Sequence, residues 1–158
     1  MQSVHLTTGM EAPHFELPDA DMETFVLTSQ RGKKNVVLYF YPKADTPGCT
    51  NEGKDFTALA GAFKKAGVAV FGMSKDKPAK LAKFKAKYDF ELELLSDEAS
   101  DAIEQMGVWV EKSLYGRKYM GIERCTFLIG SDGKVAAVWR KVKVKGHAEA
   151  VLEAAEAL

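Results

Sequence analysis

Apolar positions along the chain form short β-rich runs that alternate with helical stripes. The run NVVLYFYP, from Asn35 to Pro42, is apolar, β-branched and aromatic without alternation. That pattern predicts a strand covered on both faces. Further strands are predicted at residues 68–74, 92–97 and 125–142, the last a hairpin that turns at Ser131, Asp132 and Gly133.

Four other segments carry apolar residues at helical spacing. In the first, from Thr50 to Ala66, the repeating residues are Phe56, Leu59, Ala60 and Phe63. The remaining three cover residues 77–90, 100–108 and 146–158. Strands that alternate with helices predict an α/β fold with a central parallel or mixed sheet flanked by helices. Residues 15–35 predict two short strands around an acidic turn, which is an N-terminal β-hairpin extension.

Composition and charge narrow the classes of function. Lysine and arginine together number 22, and aspartate and glutamate together also number 22, so the formal net charge is zero. No nucleic-acid or membrane partner is therefore predicted. No apolar run approaches the roughly 20 residues of a membrane span. The N-terminus, MQSVHLTTGMEAPHF, lacks the basic start and apolar stretch of a signal peptide. We therefore expect a cytoplasmic protein, with residues 1–158 forming a single domain.

The cysteines and histidines form no metal-binding pattern. Cys49 and Cys125 make neither a CxxC nor a zinc motif, and structural disulfides are rare in the cytoplasm. The three histidines, His5, His14 and His147, are scattered without ligand spacing. No metal site is therefore predicted.

Cys49 lies just past the carboxyl end of the 35–42 strand, where sheets of this class bind ligands. A thiol attacks as the thiolate. A helix N-terminus and the hydroxyl of Thr46, three residues upstream, should both stabilise that form. Arg124 begins an otherwise apolar strand, where a buried charge needs an anionic partner. That partner could be the Cys49 thiolate, Glu52 or both, with a salt bridge at the rim of the sheet as the alternative.

Two prolines constrain the loop that carries Cys49. Pro42 fixes the exit from the strand, and Pro47 with Gly48 makes a tight turn. The loop should therefore hold Thr46 and Cys49 in a fixed relation, which favours catalysis over packing.

These residues resemble a known family. YPKADTPGC fits the Pro-x-x-x-Thr-x-x-Cys signature of peroxiredoxins at Pro42, Thr46 and Cys49. VVLYFYPKADTPGCTNE, RCTFLIGSDGKV and VWRKVKVKGHAEAVL are similar to the PrxQ branch, also called bacterioferritin comigratory protein. The resemblance covers essentially the whole chain. It implies a thioredoxin-like fold, a single AhpC/TSA-type domain and a thiol peroxidase for hydrogen peroxide and organic hydroperoxides, with no metal or organic cofactor.

The resemblance also implies a role for each residue. Cys49 is the peroxidatic cysteine, which peroxide oxidises to a sulfenic acid. Thr46 hydrogen-bonds the peroxide, and Pro42 shields the site. Arg124 stabilises the thiolate and the polarised peroxide, while Glu52 orients the arginine.

The chain departs from the family at the resolving cysteine. Family members place it five residues after the peroxidatic cysteine or on the following helix, where this chain has Lys54 and Lys85. Adjacent strand residues point to opposite faces, so if Arg124 faces Cys49, Cys125 faces away. A disulfide between the two cysteines would then require local unfolding.

We therefore predict a one-cysteine mechanism, in which thioredoxin, glutaredoxin or glutathione reduces the sulfenic acid. We expect a monomer, with a dimer left open. Two other functions compete with this one. A cysteine hydrolase or acyl transferase would need a histidine base near the thiol, but no histidine lies in the loop, and His147 sits near the start of the last helix. A non-catalytic redox sensor or holdase could use the same thiol, and catalytic turnover would distinguish it.

Overall fold

The structure is a computed structural model that describes residues 6–30 and 32–158, so His5 and the first residues of the N-terminus lie outside it. Nine strands and five helices follow one another along these ranges. In chain order they are β1 Glu16–Pro18, β2 Thr24–Val26, β3 Asn35–Phe40, α1 Pro47–Ala58, α2 Ala60–Lys65, β4 Val68–Ser74, α3 Pro78–Lys87, β5 Glu93–Ser96, α4 Ala102–Gln105, β6 Trp109–Leu114, β7 Arg117–Ile122, β8 Cys125–Ile129, β9 Val135–Trp139 and α5 His147–Glu156.

The central sheet has five strands in the order β5-β4-β3-β8-β9. Strands β3, β4 and β5 are parallel, whereas β8 runs antiparallel to β3 and β9 antiparallel to β8. The predicted mixed sheet is confirmed, as is the N-terminal hairpin of β1 and β2. Within the described ranges, no helix is both long and apolar enough to cross a membrane.

Strand β3 is buried on both faces, as its continuous apolar pattern predicts. Its residues Val36, Leu38 and Phe40 pack with the N-terminal hairpin and α4 on one side of the sheet. Val37 and Tyr39 pack on the other side, against α1, α2, α3 and α5. The sheet therefore separates two cores, and each core is inaccessible to side chains of the other.

The predicted helix at residues 50–66 differs from the structure in two ways. It begins earlier, at Pro47, because the fixed φ of proline suits the first position of a helix. It also breaks at Leu59, whose φ of −102° and ψ of 8° end α1 before α2 begins. A smaller correction concerns Arg124, which lies immediately before β8 and not within it.

The hairpin of β6 and β7 was not predicted from the sequence. Its strands pair from Trp109 with Ile122 to Leu114 with Arg117. Tyr115 and Gly116 form the two-residue turn, with φ of 50° and 76°. Polar and charged residues occupy both faces, so the hairpin lacks the apolar-polar alternation that marks a half-buried strand.

Candidate active site around Cys49

The chain leaves the carboxyl end of β3 through a short loop that sets Cys49 at the third position of α1. Asp45 adopts a left-handed conformation, with φ of 63°, and Thr46 is extended. The backbone N–H of Thr50 donates to the Thr46 carbonyl at 2.8 Å. Cys49 thus lies in the first turn, whose N–H groups have no partner within the helix and form its positive end.

Contacts from distant elements hold this loop in place. The Asp76 carboxylate, just after β4, accepts a hydrogen bond from the Ala44 N–H at 2.8 Å. The Asp45 carboxylate accepts from Lys87 Nζ at 3.0 Å and from Tyr88 Oη at 2.7 Å. Hydrogen bonds to residues at the ends of β4 and α3 therefore hold the loop in place, in addition to the backbone restriction from its own prolines. Asp76 carries no sequence motif that points to this role.

Arg124 links the two predicted partners. Its Nη1 donates to Glu52 Oε1 at 2.7 Å, and its Nη2 donates to Cys49 Sγ at 3.4 Å. Cys49 and Glu52 are only 2% and 1% exposed. The structure thus places one guanidinium between a buried carboxylate and a buried sulfur.

Gly48 makes this close approach of the guanidinium to the helix start possible. A Cβ atom added at Gly48 would lie 3.0 Å from Arg124 Nη2. A side chain there would press on the guanidinium that contacts Cys49. Sequence reasoning assigned Gly48 only to the tight turn, because the approach of Arg124 comes from a distant part of the chain.

Burial and charge set the protonation of the site. Burial works to lower the pKa of Arg124, but the charges of Glu52 and Cys49 outweigh it and raise that pKa overall. Burial raises the pKa of Glu52 to about 7, although Arg124 works to lower it. Glu52 Oε2 is buried with no hydrogen-bond partner among the described residues. Glu52 is therefore a group of this site that changes charge near neutral pH.

Replacing Glu52 with glutamine should change how stability depends on pH. The folded-state pKa of Glu52, about 7, lies above its ordinary 4.5, so proton binding favours the folded state. That stabilisation is fully present below pH 4.5 and is lost as the pH rises through 7. Glutamine does not titrate, so the variant does not undergo this loss. The free energy of unfolding of Glu52→Gln, measured relative to that of the parent, should therefore increase by about 3 kcal/mol as the pH rises over this range.

Urea unfolding at pH 5 and pH 8 measures this change. The matched control is Glu153→Gln, on an exposed position of α5, which should follow the parent at both pH values. A constant difference between Glu52→Gln and the parent across the range would contradict the raised pKa of Glu52.

Thr46 and Pro42 lie in the same loop, but with different contacts from those expected. The Thr46 hydroxyl donates to the Lys43 carbonyl at 2.8 Å rather than to the Cys49 sulfur. Because Thr46 is extended before the helix, its side chain closes the turn behind it. The expected hydrogen bond from Thr46 to Cys49 is therefore corrected. Pro42 is exposed at the exit from β3, and its shielding role stays a prediction.

Cys125 faces away from Cys49, as the alternation of strand residues predicts. It packs with Phe40 and Phe127 in the core on the opposite side of the sheet. Its sulfur donates to Glu123 Oε2 at 2.9 Å. Burial, followed by the effect of Glu123, raises the pKa of the Cys125 thiol to about 12. Cys125 is therefore an inert core thiol in this conformation.

The two positions where the resemblance leads one to expect a resolving cysteine hold lysines with contacts of their own. Lys54 Nζ lies 5.2 Å from the centre of the Tyr88 ring. Lys85 Nζ pairs with Glu93 Oε1 at 2.9 Å. Neither side chain offers a sulfur to Cys49.

His147, the candidate base of a cysteine hydrolase, is engaged elsewhere. Its Nε2 lies 2.7 Å from Thr126 Oγ1 in the core beneath α5. Burial, followed by the charge of Arg124, lowers the pKa of His147 to about 4. The ring is therefore neutral at pH 7 and bonded to a hydroxyl rather than to the thiol. The hydrolase alternative therefore loses His147 as its base.

Among the described residues, no group of three potential metal ligands includes Cys49. In that part of the chain, one group of three potential ligand atoms lies within 4.8 Å of one another, from Asp19, Asp21 and Glu93. Asp19 Oδ1 already accepts from two backbone N–H groups, and Glu93 pairs with Lys85. The expectation that the chain has no metal site stays a prediction.

Comparisons with known proteins identify relatives along most of the chain. The profile of the AhpC/TSA family matches residues 8–138. A putative peroxiredoxin bcp of Coxiella burnetii is 48% identical over 147 residues, which cover 93% of this chain and 97% of that protein. Peroxiredoxin Bcp of Escherichia coli K12 is 47% identical over 147 residues, covering 93% and 94% of the two chains.

Solved structures agree with the sequence relatives. A mutant of Xylella fastidiosa PrxQ superposes with a TM-score of 0.92 at 35% identity, and the match covers 98% of both chains. Bacterioferritin comigratory protein of Xanthomonas campestris, in a trapped intermediate/ligand complex that bears on alkyl peroxide reduction, superposes with a TM-score of 0.88 at 40% identity. That match covers 96% of this chain and 98% of the other.

Proposed function

The chain belongs to the AhpC/TSA family and is a peroxiredoxin, a thiol peroxidase with a thioredoxin-like fold, and we propose that Cys49 is its peroxidatic residue. The observation that carries this assignment is the guanidinium of Arg124, which donates to Cys49 Sγ and Glu52 Oε1 together. A cation held beside a sulfur at a helix start favours the thiolate, which is the nucleophile.

The reaction uses the thiolate and one peroxide molecule. The Cys49 sulfur forms a bond to the terminal oxygen of the hydroperoxide as the O–O bond breaks. The sulfur loses two electrons, the peroxide gains them, and the products are a sulfenic acid and an alkoxide or hydroxide that takes up a proton. No metal or organic cofactor enters the balance.

Charge develops on the leaving oxygen, so donors aimed at that atom lower the barrier. Arg124 Nη2 and the N–H groups of the first turn of α1 are the candidate donors, each worth roughly 3 kcal/mol in comparable sites. The Thr46 hydroxyl already donates to Lys43, so it offers its lone pairs and would accept a hydrogen bond from the peroxide O–H.

The substrates we propose are hydrogen peroxide and organic hydroperoxides. The terminal oxygen is common to both, and it alone has to reach the sulfur of Cys49, a residue that is 2% exposed. The Xanthomonas campestris relative, described for alkyl peroxide reduction, supports the organic part of this range. We also propose a cytoplasmic monomer.

A one-cysteine mechanism predicts a specific first product. After one equivalent of hydrogen peroxide, non-reducing mass spectrometry should find Cys49 as sulfenic acid, trapped by dimedone, and Cys125 as free thiol. The physical reason is that the two sulfurs lie in cores on opposite faces of the sheet. An intrachain disulfide as the main product would instead assign the resolving role to Cys125.

Peroxide consumption coupled to thioredoxin, thioredoxin reductase and NADPH tests the function itself. We expect many turnovers per Cys49, with glutaredoxin and glutathione as parallel reductants. A redox sensor or holdase would stop after one equivalent of peroxide, so absence of turnover with every thiol would overturn the proposed peroxidase.

A further inference from the structure

A basic segment beside Arg124 has no role in the chemistry proposed above. Residues 140–145, RKVKVK, contain four cations in six positions and no carboxylate. The N–H of Val142 donates to the Arg124 carbonyl at 2.9 Å, which fixes the segment next to the residue that contacts Cys49. The segment is exposed at alternate positions, which are Lys141, Lys143 and Lys145.

These lysines are not neutralised by neighbouring carboxylates. Arg140 pairs with Glu123 at 3.3 Å. In contrast, no carboxylate oxygen of residues 6–30 or 32–158 lies within 4.0 Å of the ammonium groups of Lys141, Lys143 or Lys145. The formal net charge of the chain is zero, so this positive charge is a local feature.

The β6–β7 hairpin carries further basic side chains together with exposed apolar ones. On one of its faces Lys112 lies opposite Tyr119, and Leu114 lies opposite Arg117. Strand β7 ends at Ile122, two residues before Arg124, so the hairpin leaves the fold beside the reacting centre. The hairpin carries large exposed apolar side chains at Leu114, Tyr115, Tyr119 and Met120.

We propose that the β6–β7 hairpin and residues 140–145 form the docking surface for an acidic protein thiol that reduces oxidised Cys49. The inference rests on the proposed function, because it names the partner of that site. The thiol attacks the sulfenic acid sulfur and releases water, which leaves a mixed disulfide. A second thiol of the partner then breaks that disulfide and restores the Cys49 thiolate.

Geometry and charge both favour this occupant. Cys49 is nearly inaccessible, so a protein reductant must rest on the surface immediately around it while the first turn of α1 opens. The exposed lysines Lys141, Lys143 and Lys145 attract an acidic partner and repel a basic one. An acidic partner is therefore steered to this basic segment. A second copy docked by the same surface would bring its own lysines against these.

The test compares reductants that differ in charge. The variant Lys141→Glu/Lys143→Glu/Lys145→Glu should raise the KM for a thioredoxin of negative net charge by about tenfold or more at low ionic strength. Turnover driven by uncharged dithiothreitol should stay within twofold of the parent. The parent's KM for thioredoxin should rise with salt, whereas the variant's should fall or stay constant, because salt also screens the repulsion that the three glutamates introduce. Leu114→Ser/Arg117→Glu should show the same selectivity.

A matched control carries the same charge reversal at the other end of the sheet. Lys33, Lys34 and Lys65 are exposed, and the first two precede β3, opposite the end that carries Cys49. Lys33→Glu/Lys34→Glu/Lys65→Glu should leave the KM for thioredoxin unchanged.

Several outcomes would overturn the docking proposal. These are an unchanged KM in the Lys141, Lys143 and Lys145 variant, an equal rise in the control, a dimer of the parent that the variant abolishes, and duplex DNA binding that the variant abolishes without a change in KM. Failure of the proposed function looks different, because dithiothreitol-driven turnover would then be absent from the parent as well.

Discussion

Replacing Cys49 with serine should abolish peroxide turnover, lowering it by roughly 10⁴-fold or more. The exchange keeps the size of the side chain and removes the only sulfur in the first turn of α1. A hydroxyl at this position would not ionise near pH 7, and Arg124 would have no thiolate to stabilise. The coupled thioredoxin and NADPH assay measures the loss, and stopped-flow oxidation with hydrogen peroxide isolates the chemical step.

Cys125→Ser is the matched control, since it makes the same substitution at the other cysteine. Cys125 donates to Glu123 Oε2, and a serine hydroxyl can keep that donor. We expect Cys125→Ser to retain near-full activity with thioredoxin. Substantial activity in Cys49→Ser, or its loss in Cys125→Ser, would exchange the roles assigned to the two sulfurs.

The pattern of apolar residues predicted the sheet because its strands are buried. β3 reads as a continuous apolar run since it packs against a core on each face. The β6–β7 hairpin escaped prediction for the opposite reason. It is held by cross-strand hydrogen bonds and has little buried surface, so its sequence carries no face pattern. The only local sequence signal for the hairpin is its turn at Tyr115 and Gly116. Tyrosine is unusual at the first position of such a turn, so this signal is weak.

The break between α1 and α2 also could not be read from spacing. Phe56 and Phe63 both reach the same core, as one continuous helix would allow. The chain nevertheless kinks at Leu59, which lies between them. Tertiary packing decided the kink, and the apolar pattern is consistent with either arrangement.

The centre of the site could be predicted because each charge needed a partner. Arg124, at the edge of an apolar strand, required an anion, and the structure gives it both Glu52 and Cys49. The supporting contacts could not be predicted. Asp76 is separated from Ala44 by 32 positions, and the clearance at Gly48 depends on where the Arg124 guanidinium arrives. Such contacts follow from the folded arrangement of loops and leave no motif.

Replacing Arg124 with methionine should have the second-largest effect, slowing the reaction of Cys49 with hydrogen peroxide by about 10²- to 10³-fold. The variant keeps the length of the apolar stem but removes the donor to Cys49 Sγ at 3.4 Å. It also leaves Glu52 buried without its cation, so the pKa of Glu52 should rise further above 7. The second-order rate constant from stopped-flow oxidation, measured from pH 6 to pH 8, reports both effects.

Arg124→Lys and Arg140→Met separate the guanidinium's chemistry from its charge and packing. A lysine keeps the charge, but one ammonium cannot reproduce a guanidinium that reaches Glu52 and Cys49 together. Arg124→Lys should therefore react with hydrogen peroxide only about tenfold faster than Arg124→Met. Arg140 is a second partly buried arginine paired with a carboxylate, Glu123, whose Oε2 also accepts from the Cys125 sulfur. Arg140→Met should therefore react with peroxide within about threefold of the parent. If Arg124→Met reacted as fast as Arg140→Met, the guanidinium would hold Glu52 in the fold without acting on the sulfur. The thiolate would then depend on the first turn of α1 alone.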